Sequence, residues 1–235
     1  MRGVFVTGTD TEVGKTLFSA ALLAQLGAAG VTAAACKPVS AGCRREHGRL
    51  VNEDAELLAR FAPLRRPLEV VNPVALEPPI APHIAAAEAG LRLDVDALAG
   101  ACRNAAKGAT CLVVEGAGGW RVPLTGEATL ADVARSLGLP VVLVVGLRLG
   151  CLNHALLTAE AVRADGLELA GWVANPLASA MPRLGENIAT LAARLGPPLA
   201  RLPHCLDATP EERARAAAAA LPEGLWRRLT GGRGA

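Results

Sequence analysis

An α/β fold, with a mainly parallel central sheet and helices on both faces, is what three observations predict. Apolar, β-branched runs alternate with longer helical patterns along the chain. The run Val141-Val-Leu-Val-Val145 is apolar at every position, as a strand buried on both faces must be. A glycine-bounded loop joins the first such run to the first helical pattern, the connection of a strand to a phosphate-binding helix. The 235 residues, 51% of them hydrophobic, suffice for one large core.

Element by element, a strand at Gly3–Thr7 leads into a helix at Lys15–Ala29. A second strand, Val31–Lys37, stops at Pro38, and a helix at Glu53–Phe61 opens on acidic residues that suit the positive end of its dipole. The Pro-rich segment 63–82 has too few helix formers for a helix and is expected to wrap the surface. A helix at Val95–Ala106, a strand at Thr110–Glu115, a helix at Leu130–Leu137, the strand Val141–Val145 and a helix at Asn153–Ala164 follow. The last predicted elements are a strand at Leu169–Ala174, a helix at Arg183–Arg194, a short strand at Leu199–Leu202 and a helix at Glu211–Ala220, with Gly231–Ala235 a frayed end. No repeat or linker interrupts the pattern, so residues 1–235 are expected to form one domain.

The loop Gly8-Thr-Asp-Thr-Glu-Val-Gly-Lys-Thr16 is the most informative segment. Backbone N–H groups and a helix start face an anion there, Lys15 can reach the outer phosphates of a nucleotide, and the Thr16 hydroxyl can ligate Mg²⁺. The common phosphate loop has four residues between its glycines, whereas Gly8 and Gly14 enclose five. The longer loop brings Thr11 and Glu12 to the mouth of the site. The bland alternative, a strand-to-helix turn with a surface lysine, does not account for strand, loop, lysine and hydroxyl together. The fold expected is therefore of the three-layer P-loop NTPase type.

Ligands of such sheets bind where the strands end. Lys37, Glu115, the segment Gly146–Asn153 and Asn175 all follow predicted strands and should share one rim. An acid that ends a buried strand beside a phosphate loop usually holds Mg²⁺, directly or through water, although Glu115 could instead cap a nearby N–H. Lys37 taken alone could be a solvated charge, and Asp54 taken alone reads as a helix-start residue.

Composition excludes several functions. A net charge of +2, from 24 basic and 22 acidic residues, gives no general attraction to nucleic acid or anionic membrane. Aromatics amount to 3% with no Tyr, leaving few stacking platforms for bases. The six cysteines, at 36, 43, 102, 111, 151 and 205, contain no CxxC pair and read as free thiols of a reducing compartment. With no secretory pattern after Met1 and no uninterrupted apolar run of membrane-spanning length, a cytoplasmic location is expected.

The runs GTDTEVGKT, KPV followed by Gly42, NED with Asp54, VNP at 71–73, Pro82-His83, VEGAGGW at 114–120, the stretch 140–159 and GWVAN at 171–175 resemble the dethiobiotin synthetases, in order, to about residue 205. The resemblance implies an ATP-dependent ligase of biotin biosynthesis that joins CO₂ to 7,8-diaminopelargonate, through a carbamate and a carbamic–phosphoric anhydride, to give dethiobiotin, ADP and phosphate. By the same match Lys15 holds the β and γ phosphates, Lys37 lies between γ-phosphate and carbamate, Thr11 and Glu12 border both, and Thr16, Asp54 and Glu115 hold Mg²⁺. ATP is expected to meet Glu12, Val13, Gly14, Lys15, Thr16, Leu17, Asp54, Glu115, Gly116, Ala117 and Gly118, with adenine at Asn175, Pro176, Pro203, His204 and Cys205. The diamine is expected at Thr11, Lys37, Ser40 and Ala41. Its carboxylate is expected at Gly150, Cys151, Leu152 and Asn153 of a neighbouring subunit, which implies a homodimer. His83 and His154 are read as structural.

One position departs from the family. A Ser or Thr commonly precedes the glycine matched to Gly42, but here Ala41 stands there and the hydroxyl is one residue earlier, at Ser40. Either a turned Ser40 or a main-chain group is expected to make the substrate contact. Amidating ligases of the same superfamily carry an added glutaminase domain for which this chain has no room. Partition ATPases usually carry a second lysine early in the loop, where Thr9, Asp10 and Thr11 stand.

Overall fold

The computed structural model describes residues 2–178, 181–204 and 208–231. In chain order these form β1 (Gly3–Gly8), α1 (Lys15–Ala28), β2 (Ala33–Cys36), β3 (Val39–Ser40), β4 (Arg44–Glu46), β5 (Arg49–Val51), α2 (Glu53–Phe61), α3 (Leu68–Val71), β6 (Val74–Ala75) and α4 (Pro82–Glu88). Then come α5 (Val95–Ala105), β7 (Cys111–Glu115), α6 (Leu130–Leu137), β8 (Val141–Leu147), α7 (Cys151–Ala164), β9 (Leu169–Pro176), α8 (Leu184–Leu195), β10 (Ala200–Arg201), α9 (Pro210–Ala220) and α10 (Leu225–Thr230).

The main sheet has the order β10-β9-β8-β1-β7-β2, and every pairing in it is parallel. Parallel neighbours need crossovers, and helices supply them on both faces. Alternation along β1 divides the core: Val4 and Val6 pack with α1, α2, α9 and α10, whereas Phe5 faces α5 and α6. Leu143, Val145 and Trp172 continue the second face under α7 and α8. Strands apolar at every position follow from this two-sided burial.

The predicted architecture matches, and the differences are local. Segment 63–82 is not only a surface wrap: α3 forms within it, Val71 and Leu76 are each 1% exposed, and Pro82 opens α4 as the first helical residue, where a missing N–H costs nothing. The hairpin β4–β5 turns at His47 and Gly48, both left-handed, and was not predicted, nor was α10. Helix α7 begins at Cys151 rather than Asn153, with left-handed Gly150 as its N-cap. The described cysteines, 36, 43, 102, 111 and 151, are buried free thiols. Cys205 and residues 232–235 lie outside the described residues.

Candidate active site

The sheet order puts β1 between β7 and β8, so the loop after β1 faces the loops after both neighbours. Thr9 N–H bonds to Val144 O at 3.0 Å, and the Gly146 N–H reaches Thr9 Oγ1 at 3.3 Å. Val13, 1% exposed, is the plug that seats the loop: a Cβ on Gly146 would lie 2.7 Å from its Cγ1, so only glycine leaves room. Left-handed turns at Glu12 (φ 58) and Gly14 (φ 95) reverse the hand of the chain just before α1, an alternation that gathers successive N–H groups into an anion-binding concavity. Asn175, at the end of β9, locks the turn by donating from Nδ2 to Val13 O at 2.8 Å.

Gly14 admits no substitute. A Cβ there would lie 2.2 Å from Asn175 Nδ2, and the left-handed backbone disfavours any L side chain. Gly14→Ala is expected to cost roughly 2–3 kcal/mol, from the left-handed penalty and the displaced Asn175 hydrogen bond. Thermal melts and nucleotide titration of this variant should show lower stability and at least about tenfold weaker nucleotide binding.

The charged centre lies where β2, β7 and α2 meet α1. Lys37 is 4% exposed, and its Nζ donates to Asp54 Oδ2 at 2.8 Å and to Glu115 Oε1 at 2.6 Å. Thr16 Oγ1 donates to the same Glu115 oxygen at 2.8 Å. Burial alone would pull the Lys37 ammonium down, but Glu115 and Asp54 outweigh it and hold the group above the ordinary lysine value. Asp54, opposed by its own burial, is held below the usual carboxylate range by Lys37. Lys15, 6% exposed, donates to Asp10 O at 2.8 Å. Burial brings its ammonium down to about 8.

No group of three or more His, Cys, Asp or Glu side chains among the described residues is placed to share a metal ion. The oxygen donors gathered here are the Thr16 hydroxyl and the carboxylates of Asp54 and Glu115. Glu115 Oε2 is buried and has no hydrogen-bond partner among the described residues. Such an all-oxygen set with an unused carboxylate oxygen suits a hard divalent cation.

Beside this centre a cleft of about 330 Å³ is lined by Thr11, Glu12, Gly14, Leu17, Asn175, Pro176, Pro203 and His204, residues named from the sequence and drawn from three distant segments. Arg148, Leu177 and Arg213 line it too and were missed. Arg148 stands in the flagged segment after β8, where it pairs with Asp10 of the phosphate loop; alanine-rich α9 gave no signal for Arg213. The loop after β7 closes on the phosphate loop: a Cβ on Gly118 would lie 3.5 Å from Thr11 Oγ1, and Gly116 N–H bonds to Val6 O at 2.9 Å. Trp120 anchors that loop, edge-on to Phe5 and donating to Asp165 at 2.7 Å. Ala117 packs on the apolar core.

Two expected substrate residues, Ser40 and Cys151, are placed differently from the sequence reading. Ser40 is 1% exposed and its hydroxyl donates to Asn72 Oδ1 at 2.7 Å, so it is not turned toward a substrate. Cys151 buries its thiol, and its N–H is already bonded to Arg148 O at 3.0 Å. Leu152 packs against the core under α7 and α8, while Asn153 is exposed. His154 is exposed and does not line the cleft.

A family model described as an AAA domain matches residues 2–212. The ATP-dependent dethiobiotin synthetase of Pseudomonas paraeruginosa PA7 is 56% identical over 212 residues, covering 89% of this chain and 93% of that protein. The chain belongs to the ATP-dependent dethiobiotin synthetase family. The synthetase of Cellvibrio japonicus is similar at 53% identity, covering 89% of each protein. Among solved structures, a chain of the MinC:MinD cell division protein complex of Aquifex aeolicus aligns with a TM-score of 0.57 at 13% identity, over 99% of this chain and 97% of that one. At that identity the likeness speaks to fold alone. In this synthetase family member the phosphate loop contributes Thr11, Glu12 and Gly14 to the cleft and Thr16 to the Glu115–Lys37 centre.

Proposed function

We infer that this chain uses ATP to carboxylate 7,8-diaminopelargonate and close the ring to dethiobiotin, as an enzyme of biotin biosynthesis. The observation that carries the reading is the buried Lys37 ammonium, held between two carboxylates beside a phosphate loop in a chain 56% identical to such a synthetase. The carbamate formed by one substrate amine and CO₂ is an anion, and the γ-phosphate it must attack is more anionic still. Catalysis is therefore mainly alignment and charge neutralisation.

In this reading Lys15 leaves the Asp10 carbonyl for the β and γ phosphates, and Lys37 stabilises the phosphoryl group as it passes to the carbamate oxygen. That P–O bond forms as the bond to ADP breaks. The second amine then attacks the carbamoyl carbon and phosphate leaves. Thr11 and Glu12 border the phosphates, the Gly116–Gly118 loop closes over them, and the cleft of Asn175, Pro176, Pro203 and His204 takes adenine.

Thr16, Asp54 and Glu115 are the residues that would hold Mg²⁺, which when bound neutralises phosphate charge. The N–H groups of Leu152 and Asn153 at the start of α7 are suited to the substrate carboxylate. In the homodimer we propose, that carboxylate belongs to substrate in the neighbouring site. We take residues 1–235 as one ligase domain working in the cytoplasm; no helix among the described residues is long and apolar enough to cross a membrane. The test is product formation. Dethiobiotin should appear only when diamine, bicarbonate and ATP are all present, and ATP turnover independent of the diamine would contradict the assignment.

A further inference from the structure

Lys37 reaches two carboxylates over distances below 3 Å, yet it stands just before Pro38, beyond the end of β2. The sheet therefore does not hold its backbone. The holding is done from segment 71–75. Lys37 N–H bonds to Val71 O at 2.7 Å, and Lys37 O accepts from Asn72 Nδ2 at 2.7 Å.

Asn72 is 6% exposed, and its side-chain amide is fully engaged in this region. Its second N–H reaches Val74 O at 3.3 Å, and its Oδ1 accepts from Ser40 Oγ at 2.7 Å. Two carbonyls on one side and a hydroxyl donor on the other fix which way the amide faces. Its own N–H is bonded to Leu68 O at 2.7 Å, which ties it to α3. The strands β3 and β6 close the strap, with Leu76 N–H bonded to Ser40 O at 2.9 Å.

We propose that Asn72, oriented by the Ser40 hydroxyl, is a positioning residue that fixes the main chain of Lys37 and so the placement of its ammonium. The proposal rests on the phosphoryl-transfer reading above and deepens it. It also accounts for the displaced hydroxyl of this chain, since Ser40 serves the Asn72 clamp rather than the substrate.

The effect should appear in turnover rather than in binding, since a displaced catalytic charge costs most in the transition state. Asn72→Ala is expected to lower kcat by about tenfold or more while the KM values for ATP and diamine stay within about threefold. A merely structural role would act whatever stands at position 37. In a Lys37→Ala background Asn72→Ala should therefore cause no further loss beyond about twofold, the non-additivity of residues acting as one unit. Ser40→Ala, the milder change, should lower kcat by about threefold in the same direction and carries the test if Asn72→Ala does not fold.

Full kcat in folded Asn72→Ala overturns the proposal, as does unchanged turnover in Ser40→Ala or a loss that simply adds to that of Lys37→Ala. Wild-type protein that makes no dethiobiotin overturns the reading beneath it, which keeps the two failures apart.

Discussion

Lys37→Met is expected to lower kcat by about 10²- to 10³-fold, the loss of about 3–4 kcal/mol usual for a preorganised charge removed from a transition state. It should also destabilise the fold by about 3–5 kcal/mol, because an uncompensated charge would then be buried. The two partners are not equivalent in this. The Asp54 side chain is 47% exposed and can hydrate, whereas that of Glu115 is 0% exposed and cannot. Adding Glu115→Gln to the methionine variant should therefore restore most of the stability and none of the turnover. Denaturant melts and steady-state rates on the single and double variants measure both halves. A methionine variant as stable as wild type would mean that water reaches Glu115.

Lys15 gives the second large effect, and its sign reverses between binding and folding. Burial, joined by the like charge of Lys37, brings its ammonium from 10.5 to about 8, with Glu115, Asp54 and Asp10 only partly opposing. Polyphosphate needs the charged form. Nucleotide affinity should thus be flat from pH 7 to about 8 and then weaken, toward about tenfold per pH unit, with proton uptake on binding above pH 8. Calorimetry of ADP binding in two buffers of different ionisation enthalpy reads this directly, and Lys15→Met should bind weakly with no such uptake.

For folding, the unfolded chain binds more protons than the native one between pH 8 and 10.5, so the ligand-free protein gains stability as pH rises through that window. Below pH 8 the buried ammonium costs about 3 kcal/mol. Lys15→Met should accordingly melt higher than wild type at pH 7 while failing to hold nucleotide. A variant that melts lower would show that the ammonium is not destabilised by its burial.

The parallel sheet was legible because burial on both faces leaves its mark on every position of a strand such as Val141–Val145. The phosphate loop was legible because chemistry needs glycine, lysine and hydroxyl at a strand-to-helix junction. That Lys37, Asp54 and Glu115 meet was not available from spacing. Asp54 in particular looks like any acid at a helix start, and only the resemblance singled it out.

The short elements were hidden for the opposite reason. Helix α3 has four residues and β3 pairs with β6 over two, so neither is long enough to show a period. Asn72 stood in the VNP run of the resemblance without a role, since a buried amide is recognised by its partners, which come from residues 37, 40 and 74. Ser40 misleads because a hydroxyl next to the family's contact position suggests a substrate ligand, whereas the strap folds it onto Asn72.

The central claim is that the terminal phosphoryl group of ATP passes to a carbamate oxygen between Lys15 and Lys37. Bicarbonate labelled with ¹⁸O tests it most directly, because that oxygen becomes the bridge to phosphorus and leaves with it when the ring closes. One ¹⁸O per molecule of released phosphate, read from the isotope shift in the ³¹P spectrum, is the predicted result. Phosphate released alongside dethiobiotin but carrying no label from bicarbonate would contradict the account.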